Sequence, residues 1–112
     1  RTVNPLDIST IVKSIKRTKK TLIVDTSNEV CGFSPSLLSQ ILKNIKNLKM
    51  IPEIMAMPFA PEPTSYGLTK HFYNNRFDVV NKVLKILKID KKINNDVIDH
   101  HDVPGDWFKG PF

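Results

Sequence analysis

An α/β fold, a mainly parallel sheet flanked by helices, is predicted by three observations. Short apolar strands alternate with amphipathic helices over the first half of the chain, and each strand leads through a polar turn into the next helix. The strand segment at residues 21–25 is a continuous apolar run ending in Asp25, as in strands buried on both faces. Connections of this kind imply right-handed crossovers and parallel pairing.

The elements follow in order. Residues 1–3 read as the tail of a strand and residues 5–7 as the turn after it. Asp7 is placed to cap a helix whose apolar residues Ile8, Ile11, Val12 and Ile15 recur at i, i+3, i+4 and i+7. Lys16, Arg17, Lys19 and Lys20 close that helix with charge that suits its C-terminal dipole. The strand of Thr21, Leu22, Ile23 and Val24 comes next, then a polar turn containing Gly32. Ser34 is a good N-cap and Pro35 suits the first helical position, where its missing N–H costs nothing. Leu37, Leu38, Ile41, Leu42 and Ile45 then give this helix one apolar face for the sheet.

A third apolar strand is predicted at residues 53–57. Pro58, Pro61 and Pro63 then force extended or turn backbone, so the segment is a surface connection. Thr64 or Ser65 can cap a short helix through Leu68 and Phe72, and residues 76–87 form a final amphipathic helix on Phe77, Val80, Val83, Leu84 and Leu87. The polar tail from Asp90 ends in the aromatics Trp107, Phe108 and Phe112.

Composition narrows the classes. With 112 residues, 40% hydrophobic, the chain builds one small domain with a modest core. A single cysteine, Cys31, allows no internal disulfide, so a reducing, cytoplasmic setting is the default. The apolar stretch at residues 51–59 is interrupted by Pro52, Glu53 and Pro58, and the N-terminus lacks a charged segment before a long apolar one. No signal peptide and no membrane span are expected. The net charge of +6 raises a nucleic-acid partner, but Lys13, Lys16, Lys43, Lys46, Lys82, Lys85 and Lys88 fall between the apolar helix positions, as on an ordinary solvated face. No arginine or aromatic cluster accompanies them, so nucleic acid is disfavoured.

No catalytic set stands out. Cys31 lies in a strand-to-helix turn without a histidine or acid nearby in sequence to activate its thiol, and reads as a small semi-buried residue. Asp99, His100, His101 and Asp102 offer metal-ligand atoms without helical or hairpin spacing, and read as a solvated tail. His71, beside Phe72 and Tyr73, suits packing or surface. Gly32 is a lone glycine, not a phosphate-cradling loop.

The motifs taken together do resemble a family. The opening RTVNPLDI, a helix ending in KRTKK before the strand TLIVD, the turn and helix GFSPSLLSQIL, and the stretch MPFAPEPTSYGLTKHFY occur in this order. That order is similar to the C-terminal domain shared by transketolases and the beta subunits of 2-oxo acid dehydrogenases, the pyruvate dehydrogenase-like beta subunit above all. The resemblance covers residues 1–89 and leaves residues 90–112 as a C-terminal extension. Cys31 and Pro35 depart from the smaller or glycine-like residues usual around this turn. The family's domain usually begins with a strand and helix ahead of Arg1, so the sequence looks like a fragment or the second part of a split polypeptide.

The resemblance implies a three-layer α/β domain, partial at its N-terminus, within a thiamine diphosphate-dependent dehydrogenase, an oxidoreductase. Thiamine diphosphate and magnesium would then belong to other domains of the parent enzyme, and this chain alone would bind neither and catalyse nothing. Its implied partners are those other domains or subunits, in a homodimer or heterotetramer, and an acyltransferase core. Exposed loops and aromatics often anchor interfaces, which points to Phe59, Pro61, Pro63, Ser65 and Leu68 in the connection and to Trp107 and Phe108 in the tail. An independent basic binding module, for nucleic acid, is the alternative.

Overall fold

The computed structural model describes residues 2–48 and 50–94. The chain divides into two compact units, Arg1–Phe59 and Ala60–Phe112. The first contains α1 (Ile8–Thr18), β1 (Leu22–Asn28), α2 (Phe33–Asn44) and β2 (Glu53–Met57). The second contains α3 (Tyr66–Phe72) and α4 (Arg76–Leu87). No helix among the described residues is long and apolar enough to cross a membrane.

In the first unit β1 and β2 pair in parallel, with Ile23 opposite Ile54 and Val24 opposite Met55. Parallel neighbours separated by a helix are what alternating strand and helix segments require. The core is a cluster of Ile15 from α1, Ile23 from β1 and Ile41 from α2, with Ile8, Ile11, Leu37, Leu38, Ile45 and Ile54 packed around it. One face of β1 therefore meets the helices. Val24, on the opposite face, is 51% exposed, so the expectation of burial on both faces does not hold at this position. Leu42 is 45% exposed beside fully buried Ile41, because the apolar stripe of α2 is narrower than its leucines suggested.

Helix α1 starts at its expected cap: the Asp7 carboxylate accepts the Thr10 N–H at 3.1 Å and the Thr10 hydroxyl at 2.6 Å. It ends at Lys19, whose φ of 60° lies in the left-handed region and lets its N–H bond the Ile15 carbonyl. The segment expected as the tail of a strand is not one among the described residues: residues 3–6 form a turn, with a cis Asn4–Pro5 bond. The Thr2 hydroxyl donates to the Pro5 carbonyl within it, at 2.8 Å.

Among its described residues the second unit has two capped helices. Ser65 occupies the N-cap position of α3 by its backbone, its carbonyl accepting the N–H groups of Leu68 and Thr69, with no side-chain cap. Asn75 and Asp78 form a reciprocal capping box at the start of α4. The Phe72 and Tyr73 rings meet edge to face, their centroids 5.3 Å apart.

Candidate functional site

The best-organised feature lies where β1 leaves the sheet and α2 begins. The strand runs through Asn28, three residues beyond its apolar part, because its polar end stays beside β2: Asn28 is in register with Met57, and the Glu29 N–H donates to the Met57 carbonyl at 2.8 Å. Asp25 sits inside the strand, on the same face as Ile23. Its Oδ1 accepts the Ser27 N–H at 2.9 Å and its Oδ2 accepts the Ser34 N–H at 2.8 Å. These bonds, the Ser27 backbone first, hold the Asp25 carboxyl below the usual carboxylate range despite the opposing pull of burial.

Helix α2 begins at Phe33 with Gly32 as its N-cap, so the expected capping role of Ser34 is corrected. Ser34 lies inside the first turn and is fully buried; a carboxylate nine residues earlier in sequence supplies the acceptor instead. Gly32 is needed for closeness rather than torsion. A Cβ there would collide with the Asn28 carbonyl oxygen and the Ser27 hydroxyl. Cys31 carries the unusual torsion, a left-handed φ of 62°, and its thiol is free and exposed.

The carboxyl ends of β1 and β2 therefore open on one edge of the first unit, the side on which open α/β sheets commonly carry their functional loops. Its apolar rim is exposed: Phe59, just past β2, at 71%, Val30 at 45% and Phe33 at 36%. Phe59 was legible in the sequence as part of the proline-rich connection. Val30 and Phe33 were not singled out, although a phenylalanine and a valine flanking Cys31 and Gly32 in a polar turn are a usable signal.

The remaining expected contact residues divide. Pro61 and Ser65 are exposed, Pro63 is half-buried and Leu68, on α3, is 63% exposed, all within the second unit. The Ser65 carbonyl accepts the Leu68 N–H at 3.0 Å, so these two share one helical turn. Trp107 and Phe108 lie outside the described residues, as do Asp99, His100, His101 and Asp102. His71 is exposed on α3.

As chemistry, the β1–α2 junction is a clasp. Both oxygens of Asp25 accept backbone N–H groups, and among the described residues no base or second acid is bonded to it. Among the described residues no three His, Cys, Asp or Glu side chains are grouped to share a metal ion. In the turn before α2 the backbone at Gly32 packs tightly against Asn28 and Ser27.

Comparison with known proteins agrees with this architecture. Residues 1–79 match the family described as transketolase, C-terminal domain. Among curated proteins, the pyruvate dehydrogenase E1 component subunit beta of Mesostigma viride is 37% identical over 76% of this chain and 26% of its own. The protein of the same name from Rickettsia bellii is 29% identical over 80% of this chain and 28% of its own, and that from Rickettsia felis is 31% identical over 77% and 27%. The chain thus spans about a quarter of the length of these relatives. A parallel strand pair with its helices and a match over most of the sequence lead to one conclusion: the chain belongs to the transketolase C-terminal domain family.

Proposed function

We propose that this chain is the C-terminal domain of a thiamine diphosphate-dependent 2-oxo acid dehydrogenase beta subunit, and that it supports subunit assembly rather than catalysis. The observation that carries this reading is the match to E1 beta subunits over only about a quarter of their length. The clasp at Asp25 agrees with it, since that carboxylate orders backbone and offers no reacting group. Thiamine diphosphate and magnesium would be held by other domains of the parent, where the cofactor supplies carbanion stabilisation. The work of this chain would be contact, through Phe59, Phe33 and Val30 on the first unit and Leu68 on the second. Its partners would be the other domains and subunits of a homodimer or heterotetramer, and an acyltransferase core, in the cytoplasm. Family membership does not favour the nucleic-acid alternative.

The test is reconstitution. The 112-residue chain is mixed with the rest of a pyruvate dehydrogenase E1 from the same cells and examined by native mass spectrometry and by pyruvate decarboxylation. The expected result is a stable complex that is active only when assembled, with no turnover by the chain alone. Decarboxylation by the isolated folded chain, or failure to associate, would overturn the proposal.

A further inference from the structure

A surface shaped for a ligand lies elsewhere on the first unit, along α1 and at the carboxyl ends of α1 and α2. A depression of about 460 Å³ has Ile15, Ile45, Leu48 and Met50 as its apolar lining, with Lys16, Lys19 and Lys46 around them. A neighbouring depression of about 480 Å³ shares Lys16 and Asn44 with the first and adds Ile8, Val12 and Lys13. The two lie side by side along α1, with Lys16 and Asn44 between them, and together form a trough of two basins. Its floor carries Ile8, Val12 and Ile15 in one helical row, and its rim carries Lys13, Lys16 and Lys19 from α1 with Lys46 from the turn after α2.

We propose that this trough binds an acidic amphipathic helix from a protein partner. Length is the first argument. From Ile8 to Lys19 the trough follows α1 for roughly 16 Å at 1.5 Å per residue, about three helical turns, which suits a polypeptide segment better than a compact molecule. Charge is the second. Among the described residues four lysines and no carboxylate line the trough, so acidic side chains flanking an apolar stripe find partners on both sides. The floor is the third. It is aliphatic, with Met50 38% exposed as an adaptable thioether, and contains no aromatic ring or arginine on which a base could stack. An apolar stripe at i, i+4 and i+7 on the incoming helix would lie against the half-buried Ile8, Val12 and Ile45 and the exposed Met50, with core residue Ile15 beneath them. This surface is separate from the Asp25 junction and does not depend on the assembly reading.

The probe is a labelled 18-residue helical peptide with Leu at i, i+4 and i+7 and Glu on both flanks, titrated into the full chain by fluorescence anisotropy and by methyl NMR. Binding is expected to shift the Ile8, Val12 and Met50 methyl signals. It should weaken about tenfold in the triple variant K16Q, K19Q, K46Q, from the loss of several rim ion pairs, and comparably when Lys replaces Glu in the peptide. Met50→Asp serves as a second variant on an exposed side chain and should weaken binding while leaving the circular dichroism unchanged. Equal affinity for the basic peptide, indifference to the lysine substitutions, or methyl shifts confined to other residues would overturn the proposal. Tighter binding of a short DNA duplex at the same lysines would overturn it in favour of phosphate recognition.

Discussion

Asn81 and Ile93 are joined by a closed pair of hydrogen bonds: the Asn81 amide donates to the Ile93 carbonyl and its Oδ1 accepts the Ile93 N–H, both at 2.8 Å. The side chain thereby imitates a strand neighbour and folds the segment after Lys88 back along α4. Replacing Asn81 by Ala should leave the helix intact and release that segment. Loss of two hydrogen bonds at a partly buried site is worth about 1 kcal/mol or more, or at least a fivefold gain in hydrogen exchange at the Ile93 amide. Unchanged exchange would mean that the segment is held by something else.

At Gly32 the prediction is steric. Gly32→Ala puts a Cβ against the Asn28 carbonyl and the Ser27 hydroxyl, and one of them is backbone that cannot rotate away. A cost of about 1–3 kcal/mol is expected from denaturant titration. Removing the hydroxyl as well, with Ser27→Ala, should recover only part of that loss, because the carbonyl remains. Full recovery in the double variant would show that the side chain was the whole obstacle.

The acid limb of stability follows from two capping carboxylates. Asp7 has its pKa lowered from 3.8 to about 2, chiefly by the Thr10 hydroxyl and then the Ser9 hydroxyl. Asp25 is lowered by the Ser27 N–H above all. A depressed folded pKa gives stability that is present above the unfolded value and disappears as pH falls through the folded one. Stability should therefore be flat from pH 7 to about 5 as far as these groups are concerned, and decline from about pH 4 toward 2. Asp25→Asn should reduce stability at pH 7, by roughly 1 kcal/mol as for other cap replacements, and flatten the decline. An acid limb of unchanged slope in the double variant D7N, D25N would count against both assignments.

Much of the architecture was legible in the residues. The strand at residues 53–57 and the helix at residues 76–87 appear with the expected bounds, because one is a compact apolar run and the other has a regular stripe. The helix after Asp7 was likewise announced by its cap and by the spacing of its isoleucines. What escaped depends on contacts distant in sequence. Thr26, Ser27 and Asn28 look like turn residues, and they extend a strand because Met57 lies beside them. Ser34 looks like a cap, but Gly32 holds the N-cap position and Asp25 supplies the acceptor from across the turn. For the contact surface, prolines and Phe59 marked an exposed connection, whereas Val30 and Phe33 needed the geometry of the strand ends.

Core and surface leucine-like positions on α2 offer a direct contrast. Ile41 is completely buried, so Ile41→Ala should cost about 2–5 kcal/mol. Its neighbour Leu42 is 45% exposed, and Leu42→Ala should change stability by less than about 0.5 kcal/mol. Equal losses at the two positions in urea titrations would place the apolar stripe elsewhere on the helix.

Ile15, Ile23 and Ile41 come from three different elements and meet at one point, with only half-covered residues around them. A keel this small ties the folding of the first unit to whatever neighbours cover its exposed apolar side chains. If the chain assembles as proposed, docking then acts as inspection: a copy that docks would be protected, and a copy left alone would open more often and be cut first by a protease. Cellular abundance of the chain would accordingly track the supply of its partners more closely than its own rate of synthesis.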